Sequence, residues 1–364
     1  MYHARSLRVH LIGLAALGIL ALAVAERMRH QVAAPYYEEK LNAARLTALA
    51  QKGLQEERWG AAHVIDTVND PNQSGLIGEE FTLITTDRGV LRAKLTSLNP
   101  NFAAVIVDQL KRAGFRRGDL AAIGVTGSFP ALNVAVLAAV ESLGGHAVSI
   151  ASVGASMWGA NDPSFTWLDM ERVLVEKGIL QSRSVAASLG GGEDRGRGLS
   201  PEGRRLIREA VRRNGVALIE EETLEESIAR RMQIYDERRG ERQFAVYINV
   251  GGGLASLGAS ENGRLVRPGL NIGLGLHNFP RKGVMILMAE RGVPVIHLLD
   301  LLDLARENGL PVAPIPLPEA GEGEIFTHTQ YHAAGVSLVL LIYAGLVVLV
   351  LALALREKAG GRSG

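Results

Sequence analysis

Cysteine is absent from all 364 residues. That excludes disulfides, a thiol nucleophile and any cysteine-ligated metal site. An exported domain of this length needs no such staples, because it can bury a sizeable core. Charge of one sign is also lacking: 39 basic residues face 38 acidic ones, for a net charge of +1. Such a balance argues against a general nucleic-acid binder. There is no G-x-x-x-x-G-K-[ST], so a P-loop is excluded, and no H-E-x-x-H. The nine histidines are scattered, so neither a metal nor a cofactor is expected. G-x-S-x-G is missing too: Pro130 stands where a nucleophile elbow at Ser128 would place its second glycine.

Two apolar segments bracket the chain, at residues 9–25 and 333–355. The second has 23 residues without a charge, enough to cross a hydrocarbon core of about 30 Å at roughly 1.5 Å per residue. Its apolar residues cover all faces, unlike those of a helix packed at the surface of a soluble core. The first is a transmembrane helix or signal anchor. Ala23-Val24-Ala25 before Glu26 also fits a cleaved signal peptide. Arg5 and Arg8 precede the first segment, and Arg356, Lys358 and Arg362 follow the second. The positive-inside bias therefore places residues 1–8 and the basic tail 356–364 in the cytoplasm and the intervening domain outside. Arg27 and Arg29 on the inner flank blur that bias, with Glu26 beside them.

Between the spans, residues 34–58 read as a membrane-proximal helix, with Pro35 suited to a first turn and an interior rich in Ala, Leu, Glu and Lys. Residues 66–318 read as an extracytoplasmic α/β domain and 319–332 as a linker. Asp66 to Gly78 is a loop. Phe81 to Thr86 is β-like, and Asp87-Arg88-Gly89 signals a turn into a second strand over Val90 to Leu95. A strand–helix alternation follows. Strands are expected at Ala121–Val125, His146–Ala151, Val216–Ile219, Phe244–Val250 and Val293–His297. Helices are expected after Asn99-Pro100, from Pro130, after Thr166 and Thr223 with their capping partners Asp169 and Glu226, after Ser200-Pro201, and over Leu298–Glu307. Strand, short loop, helix, strand is the grammar of a doubly wound, mostly parallel sheet covered on both faces. In such sheets ligands bind at the carboxyl ends of the strands.

That rule selects three loops. In Thr126-Gly127-Ser128, leading to Asn133, Ser128 sits at a helix start, where it could cap the helix, help hold an anion or act as a nucleophile. Gly251-Gly252-Gly253, entered through Asn249, permits close backbone approach by a ligand or another segment. The third, from Gly154 to Pro163, carries Trp158, Asn161 and Asp162, which either meet a ligand or pack and turn the loop. His297 ends a strand and is the candidate base for Ser128, with a satisfied buried histidine as the bland alternative. The arginines from Arg195 to Arg213 make a solvated face that could also steer an anionic polymer.

Three segments occur in order: Gly127-Ser128-Phe129-Pro130-Ala131-Leu132-Asn133, then Ser152-Val153-Gly154-Ala155-Ser156 with Trp158-Gly159-Ala160-Asn161, then Asn249-Val250-Gly251-Gly252-Gly253. With the flanking spans, they resemble the bacterial poly-gamma-glutamate system protein family over nearly the whole chain. The resemblance implies an accessory protein of poly-gamma-glutamate synthesis or export, anchored in the cell membrane. It would associate with a poly-gamma-glutamate ligase and its integral-membrane partner. The polymer itself is a possible ligand. The resemblance brings no catalytic residue onto this chain. The rival expectation is a membrane-anchored hydrolase or transferase acting on γ-glutamyl bonds, with Ser128 as nucleophile.

Overall fold

The computed structural model describes residues 2–60, 65–275, 278–279 and 281–360; Arg362 of the basic tail lies outside them. Among the described residues the strands are β1 (Arg29–Ala33), β2 (Thr85–Asp87), β3 (Leu120–Thr126), β4 (His146–Ser152), β5 (Ala155–Ser156), β6 (Ser184–Ser188), β7 (Ala217–Ile219), β8 (Phe244–Val250), β9 (Gly269–Asn271), β10 (Val295–Leu298) and β11 (Thr327–Tyr331). The chain divides into two compact units, residues 1–34 with 327–364, and residues 35–326.

The first unit holds helices Tyr2–Glu26 and Ala333–Gly360, which pack on each other. Within them Val9–Glu26 and Ala333–Leu353 are long and apolar enough to cross a membrane. Such side chains as Ile12, Leu341 and Val348 are exposed. β1 pairs antiparallel with β11, Arg29 opposite Tyr331. Glu26 accepts from Arg29 at 2.7 Å and from the Tyr331 hydroxyl at 2.8 Å. Five residues near the end of the expected linker, Thr327–Tyr331, are therefore strand, a pairing that Thr-His-Thr-Gln-Tyr does not announce by any apolar alternation.

The second unit is built on a seven-stranded sheet in the order β7-β6-β4-β3-β8-β10-β9. All neighbours are parallel except the edge pair β10–β9. From β3 the chain winds outward through β4, β6 and β7. It then returns to lay β8 on the other side of β3 and winds away through β10. The topological switch point is thus the β3/β8 boundary, the position where open α/β sheets leave a crevice. Side chains alternate as the pleat requires. Ala121, Ile123 and Val125 of β3, with Val246, Ile248 and Val250 of β8, face one core. That core includes side chains from helices Tyr37–Gly60, Phe102–Arg112, Pro130–Ser142, Trp167–Glu176, Pro201–Arg213 and Leu301–Glu307. Leu120, Ala122, Val148, Ile150 and Tyr247 face the other, against helices Leu224–Arg239 and Val284–Glu290. Both capping boxes form, Thr166 with Asp169 and Thr223 with Glu226.

The strand expected over Val90 to Leu95 is instead helix Leu91–Ser97. Leu, Arg, Ala, Lys and Leu are good helix formers, and only Val90 favours β. β6 was not expected at all. Its sequence, Ser-Val-Ala-Ala-Ser, has one β-branched residue and no apolar run.

Candidate functional site

The loops leaving the carboxyl ends of the sheet enclose a cleft of about 710 Å³. Thr126, Ser128 and Phe129 after β3, Ser152, Gly154 and Ser156 from β4 and beyond, Gly191, Gly192 and Arg197 after β6, and Gly252 and Gly253 after β8 contribute to it. Asp87, Arg88 and Lys94 close one side, and Asp300 after β10 another.

Close backbone approach locks this rim together. Gly127 donates its amide to the Ser152 carbonyl at 2.9 Å, and its own carbonyl accepts from Ala160 at 2.7 Å. A Cβ on Gly127 would lie 2.4 Å from the Val153 carbonyl oxygen. Gly251 has φ of +84°, in the left-handed region open to glycine. Thr126 spans the switch point, its hydroxyl donating to the Val250 carbonyl at 3.3 Å.

The reactive groups cluster between β3, β5 and helix Leu91–Ser97. Lys94 is 2% exposed. Its Nζ donates to the Ser128 carbonyl oxygen, lies 2.8 Å from Ser156 Oγ and sits 3.9 Å from the centre of the Phe129 ring. The Ser156 amide donates to Ser128 Oγ at 3.0 Å. Burial pushes the Lys94 ammonium down to about 7, because a charge removed from water without a counter-ion favours its neutral form. Ser128 and Ser156 are both half-buried and open to the cleft.

Beneath the cleft lies a buried polar knot. Asp194, with φ of +59°, accepts from Ser152 at 3.1 Å, Ser188 at 2.7 Å, Ser227 at 2.6 Å and Arg231 at 3.0 Å. It ties β4, β6 and helix Leu224–Arg239 to the Gly190–Gly192 loop.

Of the residues singled out in the sequence, Thr126, Ser128, Gly252 and Gly253 line the cleft, and Gly127 and Gly251 shape its loops. The rest lie in other roles. Asn133 is fully buried, its amide donating to the Thr126 carbonyl at 2.8 Å. Asn161 is buried and staples Glu79 and Thr85 to its loop. Asp162 pairs with Arg58 at 2.6 Å and accepts from Ser164. Trp158 takes φ of +59° and donates its amide to Glu79. Asn249 donates to Gly251 O and contacts His297 Nδ1, each at 2.9 Å.

His297 is not joined to Ser128. It is fully buried, with Nε2 3.2 Å from the Gly263 carbonyl and Nδ1 beside Asn249. Both nitrogens are engaged, and burial lowers its pKa against the opposing hydrogen bond to Gly263. The satisfied core histidine is what the fold contains, and the basic group against the serines is Lys94. Sequence reading missed Lys94 because a lone lysine in Leu-Arg-Ala-Lys-Leu reads as solvated. It also left Ser156 unmarked, although its Gly-Ala-Ser segment lies in the third loop.

No protein-family model, curated protein or solved structure matches this chain.

Proposed function

We propose that the chain is a membrane-tethered accessory protein of poly-gamma-glutamate synthesis or export, and that the cleft takes carboxylates of the anionic polymer. The observation that carries this reading is the set of cations at the glycine-loop rim. Arg88 and Arg197 both line the cleft, and neither forms an ion pair among the described residues. Asp87 and Asp300 share the lining, but Asp87 Oδ1 already accepts from the Arg88 amide at 2.7 Å. The helix Pro130–Ser142 starts at the same rim, with its amide dipoles favouring negative charge there. In this reading both termini lie in the cytoplasm and the α/β unit outside, in keeping with the arginines flanking the two spans. The expected protein partners are the polymer ligase and its integral-membrane subunit. That part of the reading rests on the sequence resemblance.

The test is fluorescence anisotropy of labelled poly-gamma-glutamate with the full chain in lipid nanodiscs. Saturable binding that weakens with salt is expected. An Arg88→Ala/Arg197→Ala double variant should bind about tenfold more weakly, as two exposed guanidinium contacts would allow. Equal binding by the double variant, or none by the parent at low salt, rejects the polymer site.

A further inference from the structure

Lys40 and Lys94 are each 2% exposed, and their surroundings differ. Lys40 pairs with Asp108 at 2.9 Å and donates to the Ile325 carbonyl, as a buried ammonium normally must. Lys94 has no carboxylate partner among the described residues; it has two serines and an aromatic face. Nζ thus has three contacts, and loss of one proton leaves it a lone pair within reach of Ser156 Oγ. One N–H donates to the Ser128 carbonyl, the second faces the Phe129 ring, and the third donates to Ser156 Oγ at 2.8 Å until its proton is lost, when the lone pair is left for the Ser156 hydroxyl proton. A lysine kept desolvated at a serine, in a cleft, is an arrangement that fold stability does not explain.

We propose that Ser156 and Lys94 form a serine–lysine acyl-transfer centre, with Ser156 Oγ as nucleophile and Lys94 Nζ as general base. Its substrate is an amide or ester whose acyl part carries a carboxylate. Lys94 accepts the Ser156 hydroxyl proton as Oγ bonds to the substrate carbonyl carbon. The C–N or C–O bond then breaks, and the leaving amine or alcohol takes the proton back from Lys94. Water, deprotonated by the same amine, next attacks the Ser156 ester. This releases the acid and restores both side chains, with one water consumed; an amine in place of water gives transfer. The Ser128 and Phe129 amides make no hydrogen bond among the described residues and belong to cleft-lining residues. They are the donors available to the developing oxyanion. Ser128 is a positioning residue, since its Oγ accepts the Ser156 amide and sets the height of that backbone. Arg88 and Arg197 select the acidic acyl group.

Other charges near Lys94 are accounted for. Asp87, Arg88, Arg197 and Asp300 line the same cleft, and Arg92 shares its helix. Helix Leu301–Glu307 packs against that helix and brings Glu307, with Asp303 and Arg306 paired to each other at 2.7 Å. Burial is therefore the cause of the low lysine pKa.

The test needs no polymer, so its failure is distinct from failure of the binding reading. The full chain in detergent micelles is treated with a fluorophosphonate probe, and the modified peptide is found by mass spectrometry. Label on Ser156 is expected. Its rate should rise about tenfold per pH unit up to roughly pH 7 and level off above it, as deprotonation of a single base requires. Ser156→Ala should abolish labelling. Ser128→Ala should slow it severalfold. Lys94→Met should slow it by about 10²–10⁴-fold while leaving the chain at least as stable at pH 7.5, because the variant removes a buried polar amine that has no carboxylate partner. Label on Ser128 instead, no label at pH 8.5 on folded protein, or a Lys94→Met rate equal to the parent's overturns the proposal.

Discussion

Asp194→Ala is expected to destabilise the α/β unit by about 3–5 kcal/mol, the cost of leaving a buried charge without its partner. Arg231 is 3% exposed and Asp194 1% by side chain, so water cannot replace the lost carboxylate. Three serine hydroxyls, on Ser152, Ser188 and Ser227, lose their acceptor in the same step. The effect should reach the cleft as well, because Ser152 lines it and Asp194 holds the turn beside Gly191 and Gly192. Urea unfolding of the full chain in micelles, followed by tryptophan emission, measures the loss. A change below about 1 kcal/mol, the typical value for an exposed pair, would show that the knot is hydrated and not a clamp.

Gly127→Ala is expected to cost about 1–3 kcal/mol, the range for forcing extra atoms into a packed interior, and to abolish Ser156 labelling. The added Cβ would meet the Val153 carbonyl at 2.4 Å and the Ala155 side chain at 3.2 Å. Both neighbours belong to the segment that ends in Ser156, so the clash cannot be relieved without moving the β3 loop or β5. Relief at either place breaks the Ser156–Ser128 hydrogen bond and the seating of Lys94. Unfolding and probe labelling of one preparation separate the two effects. Full labelling in a destabilised Gly127→Ala chain would show that the loop contact supports the fold without setting the site.

What the sequence discloses here follows from how locally each feature is determined. β3 and β8 are continuous apolar runs, Leu-Ala-Ala-Ile-Gly-Val-Thr and Phe-Ala-Val-Tyr-Ile-Asn-Val, because both faces are covered. Helix starts at Ser200-Pro201, Thr166 and Thr223 are written in two to four residues. The two apolar terminal helices depend on composition alone. Strand–helix order located the cleft rim, because strand ends and glycine loops fall together at Thr126-Gly127-Ser128 and Gly251-Gly252-Gly253. The chemistry within the cleft was not legible in the same way. Lys94 becomes unusual only when residues 34 and 62 positions away surround it. Conversely, Asn161 and Asp162 look like ligands in sequence because loops expose polar groups. Here they are consumed in stapling loops together, with partners at Glu79, Thr85 and Arg58. β6 stayed hidden because its place between β4 and β7, and not its own residues, makes it a strand.

The most direct test of the switch-point cleft as the working site is hydrogen–deuterium exchange on the full chain in nanodiscs, with and without poly-gamma-glutamate. Protection confined to residues 86–94, 126–130, 152–156, 190–197, 251–254 and 299–302 is the predicted result, since those segments carry the lining. Protection centred on the exposed arginines of helix Pro201–Arg213, or no change at saturating polymer, would contradict the assignment of the cleft.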